Sequence, residues 1–348
     1  IYNIDNDTTT PAKNSKGETI GTKETINGKE YYTVTTDSKG EITADLPEGM
    51  YKAVEVEAPE KYDISDSTYY FGIGTSREGK EGITATWAQG IGGTANDGIN
   101  SVAATSDGGY VVGGYFDSSS ITLDNGKVLT NNGNSNGMII KYNNNKEIEW
   151  AKSVGGNSYD KITSVVATSD GGYIVVGKFT SSNINLENDL KLTNSGNGST
   201  DGMIIKFNIK GEIEWAQVIG GESDDYINSI AETSDGGYVV GGQFASRSII
   251  LDSEKKVKLT NKGEYFYHDG MIIKYDLNGK AEWAKEIGGS SSDFINSVVE
   301  TSDGGYIGVG YFISDSIELG NGLNLTNNGN GDGMIIKVNV KGEIEWAQ

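Results

Sequence analysis

The sequence predicts an all-β chain in which a small β-sandwich leads into four-stranded propeller-type blades in tandem, part of a larger β-propeller. Three observations carry this reading. Fifty glycines against three prolines, with abundant Asn, Ser, Thr and Tyr, suit many short strands joined by tight turns rather than helices. Five tryptophans, Trp87, Trp150, Trp215, Trp283 and Trp346, recur in near-identical settings at intervals of 63, 65, 68 and 63 residues. Residues 1–76 carry none of this repeat and have a different composition, which separates a first domain (1–76) from the repeats (77–348).

Each of the first four Trp segments is followed by Gly-Gly, an acidic residue (Asp97, Asp160, Asp225, Asp293) and an Ile-Asn or Ile-Thr pair. Thr-Ser-Asp-Gly-Gly-Tyr comes next, at 105–110, 168–173, 233–238 and 301–306, and Gly-Met-Ile-Ile-Lys begins at Gly137, Gly202, Gly270 and Gly333. The period divides the chain into four units, about 88–151, 152–216, 217–284 and 285–348.

Each unit reads as four strands, 99–105, 109–116, 137–142 and 147–154 in the first, with Ile148 and Trp150 alternating against Glu147 and Glu149. Ser-Asp-Gly-Gly is a hairpin signal, because glycine supplies positive φ without steric cost, so Asp107, Asp170, Asp235 and Asp303 read as turn residues. The less regular stretch 121–134 adds a short hairpin. Gly113, Gly114, Gly241 and Gly242 sit inside strands, which implies close approach of a neighbouring blade. A four-stranded unit with two open apolar faces must bury them on its copies, and radial stacking does so. A linear β-solenoid is the alternative, disfavoured because its rungs are usually much shorter. An extra Trp strand near 84–91 precedes the first full unit. A ring closed by its own termini needs no surplus strand, so further blades are expected beyond this sequence.

Through Ser-Asp-Gly-Gly-Tyr-Val-Val-Gly-Gly-Tyr-Phe (106–116), Leu-Thr-Asn (129–131) and Glu-Ile-Glu-Trp-Ala-Lys (147–152), the repeats resemble the bacterial β-propeller repeat family of large secreted proteins. That resemblance speaks to fold; propellers host enzymes, lectins and scaffolds alike.

The first domain contains Thr-Asp-Ser-Lys-Gly (36–40), Leu-Pro-Glu-Gly-Met-Tyr (46–51) and Glu-Ala-Pro-Glu-Lys-Tyr (57–62). It resembles a partial SpaA/Cna B-type domain of Gram-positive pilins and adhesins, which implies a transthyretin-like β-sandwich. The resemblance also implies that Glu55 occupies the position of a glutamate that assists an isopeptide bond between a Lys and an Asn or Asp. A carboxylic acid raised in pKa by an apolar interior can shuttle the proton in such a step. The partners are not evident: 1–4 reads as the second strand, so the Lys-bearing strand would precede Ile1, and the last strand, 68–74, has no Asn or Asp. Glu55 reads equally as one charge on a strand edge.

A single histidine and no cysteine among 348 residues remove Cys nucleophiles, Ser-His-Asp triads and multi-His metal sites. Acid pairs such as Asp224 with Asp225 could serve glycoside chemistry, but acids this common pair by chance. No catalytic residue is assigned and no cofactor is expected. The net charge of -21 argues against nucleic acid and anionic membranes as partners, and no apolar run reaches the length of a span.

Two sets of side chains stand as candidate binding residues. Asp97, Asp160, Asp225 and Asp293 could offer oxygen ligands to Ca²⁺, or cap turns through backbone amides. Tyr265, Phe266, Tyr267 and His268 form an aromatic loop where the other units carry mostly small residues, and could stack on a sugar or peptide or pack on their own blade. The combined expectation is a non-enzymatic protein at the cell surface or cell wall. It would be adhesin-like, with a host or environmental glycan, a protein, or neighbouring surface-protein domains as partner. A structural stalk or filament component and a polysaccharide-acting enzyme or lectin-like propeller are the alternatives.

Overall fold

Four antiparallel sheets of four strands each follow one another along the chain, every strand bonded to the next in sequence. In this computed structural model the described residues are 88–348 except 197, 264 and 265, preceded by 2–3, 16, 18–26, 29–33, 49–54 and 68–73. The four strands of blade one are Asp97–Ala104, Tyr110–Phe116, Asn136–Tyr142 and Ile148–Val154; those of blade four are Asp293–Glu300, Tyr306–Phe312, Asp332–Val338 and Ile344–Ala347. Blades two and three repeat the pattern between them. The chain divides into two compact units, 1–89 and 90–348, a boundary later than the change of composition at 76.

In the first unit, Gly49–Val54 lies between Tyr2–Asn3 and Thr68–Ile73 in an antiparallel sheet, and Thr22–Ile26 pairs with Lys29–Thr33. Glu55 lies outside the described residues. So does 84–87 of the extra Trp strand, and its remainder, 88–91, forms no strand: each described blade already ends in its own Trp strand, leaving 88–91 no ladder to join.

Every blade also carries the short hairpin, as in Ser120–Thr122 with Val128–Thr130. Its inward residues, Ile121, Ile184, Ile249 and Ile317, are fully buried, tying an otherwise polar excursion to the blade.

The third strands are buried along their whole length in blades one to three, because Gly-Met-Ile-Ile-Lys is apolar on both faces. The core lies between consecutive blades. Val111 and Ile139 of blade one cluster with Ile162 and Val165 of blade two, Ile174 and Ile204 with Ile227 and Ile230 of blade three, and Val239 and Ile272 with Ile295 and Val298 of blade four.

The Ile-Asn/Thr pair is the joint. Asn100, Thr163, Asn228 and Asn296 are each the extra residue of a β-bulge in the first strand, and a bulge re-aims a side chain out of the ladder. Three of these side chains donate to the carbonyl of the next blade's isoleucine: Asn100 to Ile162 (2.7 Å), Thr163 to Ile227 (2.7 Å) and Asn228 to Ile295 (2.9 Å).

Gly113 and Gly241 do face the next blade, where an added Cβ would stand 2.8 Å from Ile162 and from Ile295. Gly114 and Gly242 answer to their own blade instead, a Cβ there meeting the carbonyl oxygens of Gly98 and Tyr226 at 2.0 and 2.1 Å. The bulge pushes that carbonyl against the neighbouring strand.

The tryptophans close the outer edge of each joint. Trp150 lies against Gly211 of the next blade, Trp215 against Gly279 and Trp283 against Gly342, each within 3 Å of where a Cβ would be. Each also meets the tyrosine of the next Ser-Asp-Gly-Gly-Tyr turn, with ring centroids 5.3, 6.0 and 5.6 Å apart.

Candidate functional site

The hairpin aspartates do more than turn the chain. Asp107 accepts from the Thr105 hydroxyl and the Gly109 amide, and also pairs with the ammonium of Lys141 at 2.8 Å. That lysine, from Gly-Met-Ile-Ile-Lys, is fully buried, and Glu149 on the fourth strand takes it at 2.9 Å. The same triad recurs at Lys206, Lys274 and Lys337 with Asp170, Asp235 and Asp303. Burial lowers the Lys141 pKa, but the hydrogen bonds to Asp107 and Glu149 outweigh it and raise the pKa above the ordinary value. The Lys337 ammonium holds the Asp303 carboxyl well below the usual range. Sequence reading passed over these lysines, although Lys at the end of an apolar strand in all four units was the available signal.

The aspartates weighed as Ca²⁺ ligands are spent on loops. Asp225 accepts from the Gly221 amide (2.8 Å), the Ser246 hydroxyl (2.7 Å) and the Ala245 and Ser246 amides (3.1 Å each). Asp160 and Asp293 repeat this with Ser181 and Ser314, and Asp97 with Ser118. The Gly-Gly amide and the serine together fix the loop entering each blade. Among the described residues no three His, Asp or Glu converge on one point as metal ligands. Asp225 is fully buried, and burial pushes its carboxyl up to about 7, whereas Asp224 accepts from the Thr200 amide. The two do not share a cleft as an acid–base pair would.

The aromatic loop leads to a larger feature. Tyr265 lies outside the described residues. Phe266 is 74% exposed with φ of 81°, a left-handed backbone that costs a bulky residue about 1 kcal/mol or more; Tyr267 is 43% exposed. His268 does not stand free in solvent. Its ring is half-buried between Tyr226 (5.6 Å) and Phe294 (5.9 Å), and Phe294 stacks on Tyr311 at 4.5 Å. Burial holds the imidazole below its ordinary pKa, and Nε2 is buried without a hydrogen-bond partner among the described residues.

The row continues through cations. The ammonium of Lys178 lies 4.7 Å from the Tyr226 ring, and that of Lys161 3.7 Å from Tyr115; Lys161 and Lys178 face each other across adjacent strands. Burial, with Lys161 beside it, lowers the Lys178 pKa. Tyr115, Lys161, Lys178, Tyr226, His268, Phe294 and Tyr311 thus form one line across all four blades.

The line has a topological cause. Lys161, Tyr226 and Phe294 each follow the buried Asp that opens a first strand; Lys178 and Tyr311 lie opposite Lys161 and Phe294 on the second strands, and Tyr115 lies at the same second-strand place in blade one, opposite Gly98. A separate open groove of about 350 Å³ runs between the short hairpins of blades one and two, lined by Val128, Lys152, Leu186 and Glu187 among others. Lys152 and Glu187 pair within it, and no aromatic ring lines it.

Comparison with known proteins follows the two units. Residues 1–87 match the SpaA prealbumin-like fold domain, a domain typical of extracellular surface proteins. A stretch of 171 residues is 24% identical to the regulatory protein FlaEY of Caulobacter vibrioides, covering 48% of this chain and 17% of that protein. Among solved structures, the WD40 domain of Neurospora crassa Pan2 aligns with a TM-score of 0.33 at 12% identity over 70% of this chain and 58% of its own. The WD40 β-propeller domain of Doa1 aligns with a TM-score of 0.26 at 11% identity, covering 73% of this chain and 94% of its own. No helix among the described residues is long and apolar enough to cross a membrane. The chain is all-β, with propeller-like tandem blades and a match to the SpaA prealbumin-like domain at its N-terminal end.

Proposed function

We propose that this chain is a non-enzymatic, adhesin-like binding module of an extracellular surface protein, and that the aromatic and cationic line is its binding surface. The observation that carries the reading is the unbroken run from Tyr115 to Tyr311 across four blades. Aromatic faces take the C–H face of a sugar or an apolar side chain. Lys161 and Lys178 offer donors for hydroxyl or carboxylate groups, which makes a glycan the favoured ligand and a protein loop the second. The strained, exposed Phe266 sits two residues from His268 and extends the surface. The SpaA prealbumin-like match over residues 1–87 supports the extracellular setting. The sole histidine, desolvated and packed between two rings, is poorly placed for acid–base work.

The test is glycan-array and host-matrix binding of the whole chain beside the double variant Tyr226→Ala/Phe294→Ala, with circular dichroism to check folding. Loss of about tenfold or more in affinity for a bound glycan or protein, equivalent to about 1.4 kcal/mol, is expected. A ligand bound equally by both proteins refutes the site. The absence of any ligand favours the stalk or filament reading.

A further inference from the structure

Within the aromatic and cationic line, Lys161 and Lys178 set two like charges face to face. They are direct partners across the first two strands of blade two, and like charges so placed repel. Each ammonium rests on a ring from a different blade: Lys161 lies 3.7 Å from the centre of Tyr115 in blade one, and Lys178 4.7 Å from that of Tyr226 in blade three. Both lysines are half-buried, and neither forms an ion pair among the described residues. By contrast, the buried Lys141, Lys206, Lys274 and Lys337 each meet an aspartate and a glutamate. A chain with 49 acidic residues thus supplies carboxylates to its buried lysines and withholds them from this pair.

The fold does not ask for the pair. The same two places hold Gly98 and Tyr115 in blade one, Tyr226 and Gln243 in blade three, and Phe294 and Tyr311 in blade four, on the same strand pairing. Asp224, whose charge acts on Lys178, is held by the Thr200 amide at 2.8 Å. Burial, with Lys161 alongside, keeps the Lys178 pKa below its ordinary value, and an anion between the two ammoniums would relieve that cost. The backbone beneath is fixed: Lys161, Tyr226 and Phe294 are each followed by an isoleucine, Ile162, Ile227 or Ile295, that plugs the joint to the preceding blade and is fully buried.

We infer that Lys161 and Lys178 form a subsite for the carboxylate of an acidic saccharide, whose neighbouring neutral sugar lies on the rings from Tyr226 to Phe294. The inference deepens the binding role proposed for the line and rests on it. Two adjacent ammoniums donating to one carboxylate exchange their repulsion for two charge-assisted hydrogen bonds, and the ring faces beside them take the C–H face of a sugar. The net charge of -21 sets the charge density of the ligand. Its field repels a polyanion at long range, so a single carboxylate among neutral sugars suits the site and a densely charged chain does not.

Titration calorimetry of the whole chain with lactose, sialyllactose and the trisaccharide carrying glucuronate in place of sialic acid tests this. At least one acidic trisaccharide should bind about tenfold or more tighter than lactose, and which of them does so separates a sialic acid from a hexuronate source. Added salt should erode that preference. Lys161→Met/Lys178→Met keeps apolar stems on the two rings and should lose about tenfold or more in affinity for the acidic ligand, with thermal melts to check folding. No binding by any of the three sugars, equal binding of all three, a preference untouched by salt, or a preference that the methionine variant retains overturns the inference. Tyr226→Ala/Phe294→Ala separates this from the reading beneath it. Lactose binding that this variant loses, without any acidic preference in the wild type, removes the carboxylate subsite and leaves the binding line standing, whereas acidic binding that the variant keeps in full removes the line itself.

Discussion

Asp269→Asn separates the cost of a buried carboxylate from the packing around it. Asp269 opens the third strand of blade three, fully buried. The Lys262 amide donates to its Oδ2 at 2.7 Å, and its Oδ1 has no hydrogen-bond partner among the described residues. A Cβ on Gly288 would lie 2.1 Å from that Oδ1, so the Gly-Gly turn seals the carboxyl from water. Burial, with Asp293 nearby, pushes its pKa up to about 7 from the ordinary 3.8.

The folded chain therefore keeps this proton until about pH 7, while the unfolded chain releases it near pH 4. Stability falls as pH rises across that window and stays lowered above it. Each unit of pKa corresponds to about 1.4 kcal/mol, which puts the ceiling at about 4 kcal/mol, and local relaxation leaves an expected loss of about 2 to 4 kcal/mol. Blade one already carries an amide here, as Asn136, so the asparagine fits. Urea unfolding followed by tryptophan fluorescence should find variant and wild type alike near pH 4 and the variant more stable near pH 8. Two curves that stay parallel over the whole range refute the reasoning.

Two further contrasts follow from the repeat. Asp235→Ala leaves Lys274 buried with Glu282 as its remaining carboxylate and should cost about 2 kcal/mol, whereas Lys274→Met frees an exposed carboxylate and should cost less than about 1 kcal/mol; urea midpoints of the two variants decide it. Trp215→Ala empties the seat against Gly279 and should cost about 3 kcal/mol, while Trp346→Ala, at a residue 43% exposed, should cost less than about 1 kcal/mol. Equal losses of melting temperature would contradict the role of tryptophan as an interblade clasp.

The blade was legible because its signals are local and repeated. Strand alternation, the Ser-Asp-Gly-Gly turn and the recurring Trp fixed four strands per unit, and the short hairpin near 121–134 was anticipated. The Ile-Asn/Thr pair was visible as a pattern, but its meaning was not: a bulge is a register event between two strands, and the donor at Asn228 finds its acceptor 67 residues away. Gly113 and Gly114 show the same limit, since two adjacent glycines answer to different neighbours. The buried Lys–Asp–Glu triads escaped because lysine in an apolar strand is ordinarily read as a strand end. At the candidate site, His268 and its loop were flagged, while Tyr226, Phe294, Lys161 and Lys178 were not. They are 133 residues apart at their extremes along the chain, from Lys161 to Phe294, and only the stacking of blades makes them a line.

The four units let packing and recognition be told apart within one molecule. Positions that hold the joints scarcely vary: the plug is isoleucine at 99, 162, 227 and 295, the carboxylate beneath the loop is Asp at 97, 160, 225 and 293, and the clasp is tryptophan at 150, 215, 283 and 346. Between Asp and Ile the chain instead has Gly98, Lys161, Tyr226 and Phe294, and opposite them Tyr115, Lys178, Gln243 and Tyr311. These places differ in size, charge and shape, yet the backbone pairing around them is the same in every blade. A position that the fold leaves free to vary, at the end of a strand the fold holds rigid, is where a repeated scaffold can acquire a specific surface without destabilising its core. The aromatic and cationic line, His268 aside, occupies those positions, which is the physical reason for proposing binding there rather than at the buried aspartates.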